Sequence, residues 1–308
     1  MRYVSTRGAA PELDFADVLL TGLASDGGLY VPAEWPSLFA GWSDRDLSYA
    51  DTATAVMWPY VRGSIDRDRF AELVSDSYAG FDDEAVTPLV ELHPGLHLLE
   101  LFRGPTLAFK DIALQLVGRL FEEELTRRDA TMTIVAATSG DTGSAAIEAC
   151  RGRDRVRIFV LHPEGRVSDV QRRQMTTVED DNVHNLAVDG SFDDCQDLVK
   201  AMFADESFRS RHALGAVNSI NWARVMAQTV YYVYAAARVP SDTPPTFVVP
   251  SGNFGNVFAG WVARQMGLPI RRLVVASNQN DILTQFFTTG LMRVGSVEPT
   301  FSPAMDIQ

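Results

Sequence analysis

The sequence predicts an α/β fold in which parallel sheets are covered by helices on both faces. From residue 93 onward, short β-rich runs alternate with long helical patterns, which is typical of consecutive strand–helix–strand units. Two of the apolar runs end in glycine-containing turns that lead into helices. A chain of 308 residues that is 46% hydrophobic is also long enough to build two such units.

The first 92 residues have a different pattern, with many turn formers and short helical periods. They predict a helical N-terminal subdomain over residues 1–92. Within it, "DGGLYVP" (26–32) predicts a tight glycine turn that leads into a short extended segment. Trp35, Trp42 and Trp58 are expected to pack inside this part of the chain.

The first α/β domain is predicted over residues 93–240. It is expected to open with a strand over 97–101 and a long amphipathic helix over 110–128. Further strands are predicted over 132–137, 156–161 and 183–188, and further helices over 144–153, 167–178, 192–204 and 220–239.

A second α/β domain is predicted over residues 241–308, after the proline-rich link "RVPSDTPPT" (238–246). Its expected elements are a strand over 246–250, a helix over 255–267 and a strand over 272–277. A parallel sheet normally has more than two strands. We therefore expect this domain to be incomplete and the chain to be truncated at its C-terminus.

Composition and charge exclude several classes of protein. A formal net charge of -13 argues against a nucleic-acid or membrane-surface partner, because both are polyanions. Cys150 and Cys195 stand in no metal-binding or disulfide pattern and are expected to be small core residues, and the scattered histidines predict no metal site. The first residues lack the apolar core of a signal peptide and no run is long enough to span a membrane, so a cytoplasmic protein is expected.

The stretch "GPTLAFKDIA" (104–113) contains the only lysine before Lys200. Its apolar flank should desolvate the amine of Lys110, and a helix N-terminus disfavours a cation, so both effects lower the pKa of this lysine. Such an amine is suited to Schiff-base chemistry. The alternative is an ordinary charged lysine in the first turn of a surface helix.

The stretch "ATSGDTGSAA" (137–146) joins a buried strand to a helix. Hydroxyls and backbone N–H groups at a helix start form a site for a carboxylate or a phosphate. The alternative is an ordinary N-cap made by Asp141 or Thr142, with nothing bound. The acidic run over 122–125, in the helix before this strand, is expected to lie on a solvated face.

The stretch "VVPSGNFGNVFAG" (248–260) is the second strand–turn–helix of this kind. It contains Gly252 and Gly255 but matches neither the Walker A pattern nor G-x-G-x-x-G. A nest of backbone amides here would suit one phosphate group. The alternative is a plain turn between a strand and a helix.

These three stretches, in this order, resemble those of the threonine synthases, which are pyridoxal-phosphate enzymes of the tryptophan-synthase-β kind (fold type II). Further similar stretches are "YVSTRG", "DGGLYVP", "VNSINWAR" (217–224) and "SPAMDI" (302–307). The resemblance covers the whole chain. It implies two parallel-sheet α/β domains after the helical N-terminal part.

The resemblance also implies roles for individual residues. Lys110, flanked by Phe109, is expected to bind pyridoxal 5'-phosphate covalently. The residues expected to cradle the cofactor phosphate are Gly252, Asn253, Phe254, Gly255 and Asn256. Those expected to receive the substrate's α-carboxylate are Thr138, Ser139, Gly140, Asp141 and Thr142, with Asp141 also beside the cofactor ring. Arg103 replaces a histidine that is often found before "GPT" in such enzymes, and an arginine there could pair with a phosphate.

The implied activity is the conversion of O-phosphohomoserine and water to L-threonine and phosphate by a monomer or homodimer. One alternative is a related phospho-lyase that gives 2-oxobutyrate, and another is an inactive fragment or cofactor-free relative. The residue that contacts the pyridine nitrogen is expected beyond residue 308.

Overall fold

The computed structural model of the chain describes residues 1–217, 221–239, 243–250, 252–293, 295–298, 300–302 and 305–307. Its helices are α1 (Phe15–Thr21), α2 (Tyr49–Val61), α3 (Arg67–Tyr78), α4 (Lys110–Arg127), α5 (Asp141–Cys150), α6 (Asp169–Thr176), α7 (Phe192–Ala204), α8 (Glu206–Arg211), α9 (Trp222–Arg238), α10 (Gly255–Gln265) and α11 (Ile282–Thr289). Its strands are β1 (Tyr3–Ser5), β2 (Tyr30–Pro32), β3 (Leu89–His93), β4 (Leu96–Leu99), β5 (Met132–Ala137), β6 (Val156–Pro163), β7 (Val183–Val188), β8 (Leu214–Gly215), β9 (Thr246–Val249) and β10 (Arg272–Val275).

The largest sheet has four parallel strands in the order β7–β6–β5–β8. Along β5, Ile134 enters the main hydrophobic core, whereas Val135 enters a smaller core that contains Cys195 of α7. Successive side chains of a strand point to opposite faces, so helices cover both faces of this sheet. The predicted α/β fold with parallel strands is therefore confirmed. Cys150 and Cys195 are both buried, as predicted.

The strand predicted over 97–101 lies outside this sheet. Residues Leu96–Leu99 form β4, which pairs antiparallel with β3 in a separate hairpin. Gly95, with a φ of +80°, provides the tight turn between the two strands. Such a turn folds the chain straight back, and a parallel partner would have required a long crossover connection.

The acidic run over 122–125 is not wholly solvated, because Glu124 and Leu125 are buried, so that prediction is wrong for these two residues. Glu124 is only 3% exposed. Its carboxylate accepts hydrogen bonds from Arg127 (2.9 and 2.6 Å) and from Arg128. Two guanidinium groups at the end of α4 therefore compensate a buried negative charge, an arrangement that helical periodicity does not reveal.

The C-terminal part contains a second parallel pair, β9 and β10, connected through α10. The sequence predicted these three elements, but it predicted neither α8 nor α11. Residues 240–242 of the predicted link, and residues 218–220, 303–304 and 308, lie outside the described part of the chain. The domain boundaries after residues 92 and 240 stay predictions.

The N-terminal part combines α1, α2 and α3 with the antiparallel pair β1–β2. The motifs "YVSTRG" and "DGGLYVP" meet at Asp26. Its carboxylate accepts hydrogen bonds from the Ser5 hydroxyl (2.7 Å) and from the backbone N–H groups of Gly28, Ala9 and Ala10 (2.9 Å each). These hydrogen bonds lower the pKa of Asp26 to about 2, and the bond from Ser5 has the largest effect. Both motifs therefore have a structural role in joining two chain segments.

Aromatic side chains extend the main core across the N-terminal part. The predicted packing of Trp35, Trp42 and Trp58 is confirmed, because all three are partly buried against this core. The ring centroid of Trp35 lies 5.9 Å from that of Trp222 on α9. The N-terminal part and the parallel sheet thus contribute to one continuous hydrophobic core.

Helix α9 is the most deeply buried long helix among the described elements, and it packs against α2, α4 and α10. Asn221 is the N-cap of α9, because its side chain accepts a hydrogen bond from Ala223 N (3.0 Å). The same side chain donates a hydrogen bond to the Leu19 carbonyl (2.9 Å). The aromatic residues Tyr231, Tyr232 and Tyr234 of α9 are all buried. In the described residues, no helix has both the length and the apolar character that crossing a membrane requires.

Candidate active site

The loop before Lys110 is held in shape by Asp111. The carboxylate of Asp111 is buried and accepts hydrogen bonds from the backbone N–H and the hydroxyl of Thr106 (both 2.8 Å). Gly104 lies so close that an added Cβ would be 2.5 Å from Asp111 Cβ. Leu107 has a φ of +60°, a strained conformation for a residue other than glycine. A tight, internally bonded loop therefore fixes the point at which α4 begins.

Lys110 is the first residue of α4 and is only 5% exposed, which excludes the alternative of an ordinary surface lysine. Its Nζ forms an ion pair with the carboxylate of Asp141 and lies 4.5 Å from the centre of the Phe109 ring. Burial lowers the pKa of Lys110, and the positive charge of Arg224 adds to this effect, while Asp141 opposes it. The net direction is downward, as the sequence predicted.

The loop over 138–142 is held by Thr138. The Thr138 hydroxyl is buried and accepts hydrogen bonds from the backbone N–H groups of Gly140 (3.0 Å) and Gly143 (2.9 Å). Asp141 Oδ1 accepts a hydrogen bond from Thr142 N (2.8 Å), and its other oxygen faces Lys110. The side chain of Ser139 is exposed. Thr138 thus shapes the loop, whereas Ser139, Asp141 and Thr142 lie at its more accessible side.

The helix after this loop begins three residues earlier than predicted, at Asp141. Its N-cap residue is Gly140, and no side-chain capping bond is formed among the described residues. The alternative in which Asp141 or Thr142 acts as an ordinary N-cap is therefore excluded. Gly140 has a φ of +145°, which L-residues with a side chain rarely adopt, and this early turn is what brings Asp141 to Lys110.

Replacing Gly140 by alanine is expected to destabilise the protein and to displace the loop. The backbone strain alone should cost on the order of 1–3 kcal/mol. The new Cβ would also collide with the carboxamide of Gln171 and force that side chain away. Chemical denaturation would measure the loss of stability. Gly267→Ala is the matched control, because Gly267 has a φ of +101° with open space around it. If Gly140→Ala is no less stable than the wild type, the described loop conformation is wrong.

Arg224 is a functional candidate that the sequence reasoning did not single out. It lies in the first turn of α9 and is only 2% exposed. Its guanidinium donates a hydrogen bond to the Val217 carbonyl (2.7 Å), but its Nε has no partner among the described residues. Burial lowers the pKa of Arg224 to about 10, while the charge of Asp141 opposes this shift. The one sign of such a role in the sequence is that Arg224 places a positive charge at the start of a long apolar helix.

The stretch over 252–256 leads into α10 and includes its first two residues, and this helix start has no side-chain cap among the described residues. Gly252 is buried and Asn253 and Phe254 are exposed. The Asn256 side chain is buried, and its Oδ1 accepts hydrogen bonds from the hydroxyls of Tyr231 (2.5 Å) and Tyr232 (3.0 Å). Asn256 therefore fastens α10 to α9, and backbone N–H groups at the start of α10 are the groups most suited to an anion.

A cavity of about 500 Å³ opens beside the loop that precedes Lys110. Its walls include Phe109 and Asp141, residues of α6, and Ser302 from the C-terminal part. Arg103 does not supply a free cation there, because its guanidinium pairs with Glu100 and, at 3.5 Å, with Asp82. The cavity thus joins the lysine loop to the loop over 138–142.

Comparisons with known proteins agree with this geometry. The family "Threonine synthase N terminus" matches residues 2–78, and the family "Pyridoxal-phosphate dependent enzyme" matches residues 81–308. The threonine synthase of Pseudomonas aeruginosa is 54% identical over the whole chain, which covers 66% of that protein, and that of Methylobacillus glycogenes is 47% identical, with 68% of it covered. The chain thus spans about two thirds of the length of these relatives.

A solved structure gives the same result for the fold. The pyridoxal-phosphate-bound threonine synthase from Brucella melitensis superposes with a TM-score of 0.95 at 51% sequence identity, with 100% of this chain and 67% of that chain covered. The buried lysine of α4 and the two loops therefore occur in a chain whose sequence and fold both match one group of enzymes. The chain belongs to the pyridoxal-phosphate-dependent enzymes and, within them, to the threonine synthase family.

Proposed function

We propose that the protein acts as a threonine synthase, converting O-phosphohomoserine and water to L-threonine and phosphate. The observation that carries the proposal is the buried amine of Lys110, whose pKa is lowered and which forms an ion pair with Asp141, a residue in the wall of the cavity. Membership of the family supports the substrate. Because the chain spans about two thirds of its relatives, activity of this chain is part of the proposal.

The residues of the site fit pyridoxal 5'-phosphate. Lys110 would hold the cofactor through its amine, with Phe109 and Asp141 beside it. Backbone N–H groups over 252–256 would receive the cofactor phosphate, for which an uncapped helix start is suited. When bound, the cofactor supplies an electron sink for carbanion chemistry next to the amino group of the substrate. The chain's own residues then have to place the substrate and move its protons.

Lys110 is the proposed proton carrier. Burial lowers the pKa of its amine, which makes loss of the proton easier and suits the amine to accepting a proton and returning it. Asp141 is close enough to hold the protonated form in place. Burial thus favours the neutral form of the Lys110 amine, whereas the carboxylate of Asp141 favours the protonated form.

The anionic ends of the substrate are proposed to bind at two places. Ser139, Thr142 and the backbone around Gly140 would receive the α-carboxylate at the start of α5. Arg224 would attract the substrate phosphate, because it is a buried cation with an unpartnered Nε. The proposal accounts for both negative groups of O-phosphohomoserine with residues of the same site.

The test is to incubate the cofactor-loaded 308-residue chain with O-phosphohomoserine and to measure threonine and phosphate together. Equal amounts of the two products support the proposal. Phosphate released with 2-oxobutyrate would identify the related phospho-lyase activity instead. Absence of both products would show that the chain is inactive by itself. A monomeric or homodimeric state and a cytoplasmic location stay predictions, which size-exclusion chromatography with light scattering and cell fractionation can test.

A further inference from the structure

Gln171, in the first turn of α6, lies directly over the start of α5. Its carboxamide occupies the space that a side chain at position 140 would need, so the glycine there permits this close approach. Gln171 is half-buried and lines the same cavity as Asp141 and Phe109. A residue of a different helix therefore contributes a polar group to the wall of the candidate site.

The carboxamide of Gln171 is oriented by Ser168. The Ser168 hydroxyl, which also caps α6, donates a hydrogen bond to Gln171 Oε1 (2.9 Å). The Nε2 group has no hydrogen-bond acceptor among the described residues. An amide group has two N–H donors on this atom. Ser168 holds the oxygen, and Nε2 lies beside the start of α5, 3.1 Å from the position that a Cβ of residue 140 would have.

Helix α6 is itself fixed to the lysine loop. Gln174 Nε2 donates a hydrogen bond to the Thr106 carbonyl (3.0 Å), in the loop that precedes Lys110. On the other side, Asn185 of β7 donates a hydrogen bond to the Met175 carbonyl (2.8 Å), and Met175 is buried. Hydrogen bonds to two neighbouring segments therefore hold the helix that carries Gln171, which favours a role for this residue in positioning a bound group.

We propose that Gln171 is a specificity-determining residue whose Nε2 donates a hydrogen bond to a substrate anion, with the α-carboxylate as the group it meets. The inference rests on the proposed function, since it needs an amino-acid substrate in this cavity. A hydrogen bond from a neutral donor to a charged acceptor raises affinity by roughly 10-fold to 100-fold. The start of α5, directly below Gln171, is the place where the carboxylate is expected.

The test measures equilibrium binding of two probes to the cofactor-loaded protein by titration calorimetry. L-homoserine has the carboxylate without the phosphate, and inorganic phosphate has the reverse. The main variant is Gln171→Met, which keeps the length and packing of the side chain but removes the amide. Arg172→Ala is the matched control, because Arg172 is exposed on the next position of the same helix.

We expect Gln171→Met to weaken L-homoserine binding by roughly 10-fold or more while phosphate binding stays unchanged, and Gln171→Glu to weaken it further through repulsion. Arg172→Ala should match the wild type. The thermal midpoints of all variants should agree, which separates loss of a donor from loss of structure. Weaker binding of phosphate alone would overturn the assignment to the carboxylate.

Two further results distinguish this inference from the proposed function. If the wild type binds L-homoserine and Gln171→Met binds it equally well, the inference is wrong and the proposed function is untouched. If the loaded wild type binds neither probe and forms no threonine, the inference falls together with the proposed function.

Discussion

Replacing Lys110 by alanine should abolish covalent binding of pyridoxal phosphate and lower the formation of threonine by roughly 1,000-fold or more, because it removes both the attachment point and the proposed proton carrier. Removal of the amine leaves no other lysine near the site, since the only other one in the chain is Lys200. Lys200 is on α7 and forms an exposed pair with Asp197. No neighbouring amine can therefore replace the lost one.

The chain offers an unusually clean control for this experiment. After borohydride reduction of the loaded protein and peptide mapping, the cofactor should be found on the peptide that contains Lys110. The label should persist in Lys200→Ala and vanish in Lys110→Ala. Covalent label retained at wild-type level in Lys110→Ala would contradict the assignment of the site. The readout does not depend on turnover, so it applies even if the 308-residue chain is inactive by itself.

Replacing Arg224 by methionine is expected to have the second-largest effect. The variant should bind phosphate-bearing ligands at least roughly 10-fold more weakly, because a buried charge-assisted donor is lost. It should also raise the pKa of Lys110, since the charge of Arg224 lowers that pKa and burial alone would then oppose the effect of Asp141. A smaller fraction of the amine is neutral at a given pH. The rate of covalent cofactor binding should therefore fall at neutral pH and recover as the pH rises.

The measurement for Arg224→Met is the pH profile of cofactor binding, followed by its absorbance, together with the affinity for inorganic phosphate. Arg119→Met is the matched control, because burial also lowers the pKa of Arg119 and this residue lies on α4, more than two turns from Lys110. The control should leave both readouts unchanged. A profile for Arg224→Met that moves to lower pH would refute the electrostatic account, because loss of the cation can only raise the pKa of the amine.

Much of the fold could be predicted because its signals are local. The ranges of β5, β7 and α7, and the start of α10, follow from hydrophobic period and turn residues within each segment. The antiparallel pairing of β3 and β4 was not predicted, because it depends on a tight turn at Gly95 and a glycine at this position is equally typical of a longer loop. Glu124 was misplaced because its burial is compensated by Arg127 and Arg128, and periodicity does not register such pairing.

The candidate site was predictable only in part. Lys110 and the two loops have local signatures, namely a desolvating flank and glycine turns after strands. Arg224 and Gln171 have none, since their positions depend on how α9 and α6 pack against the lysine helix and α5. The same holds for Asn256, whose partners Tyr231 and Tyr232 lie on another helix. Contacts that form only through tertiary packing cannot be predicted from the residues adjacent in sequence.

The number of residues in α9 fixes the distance and the relative orientation of two parts of the candidate site. The charge of Arg224, near the start of this helix, lowers the pKa of Lys110, and Tyr231, seven residues later, donates a hydrogen bond to Asn256 in the first turn of α10. Seven residues are about two turns, or roughly 10 Å, so both side chains project from nearly the same face. Inserting or deleting one residue between them would rotate one end against the other by about 100°. This stretch should therefore tolerate substitutions of similar size but no change in length.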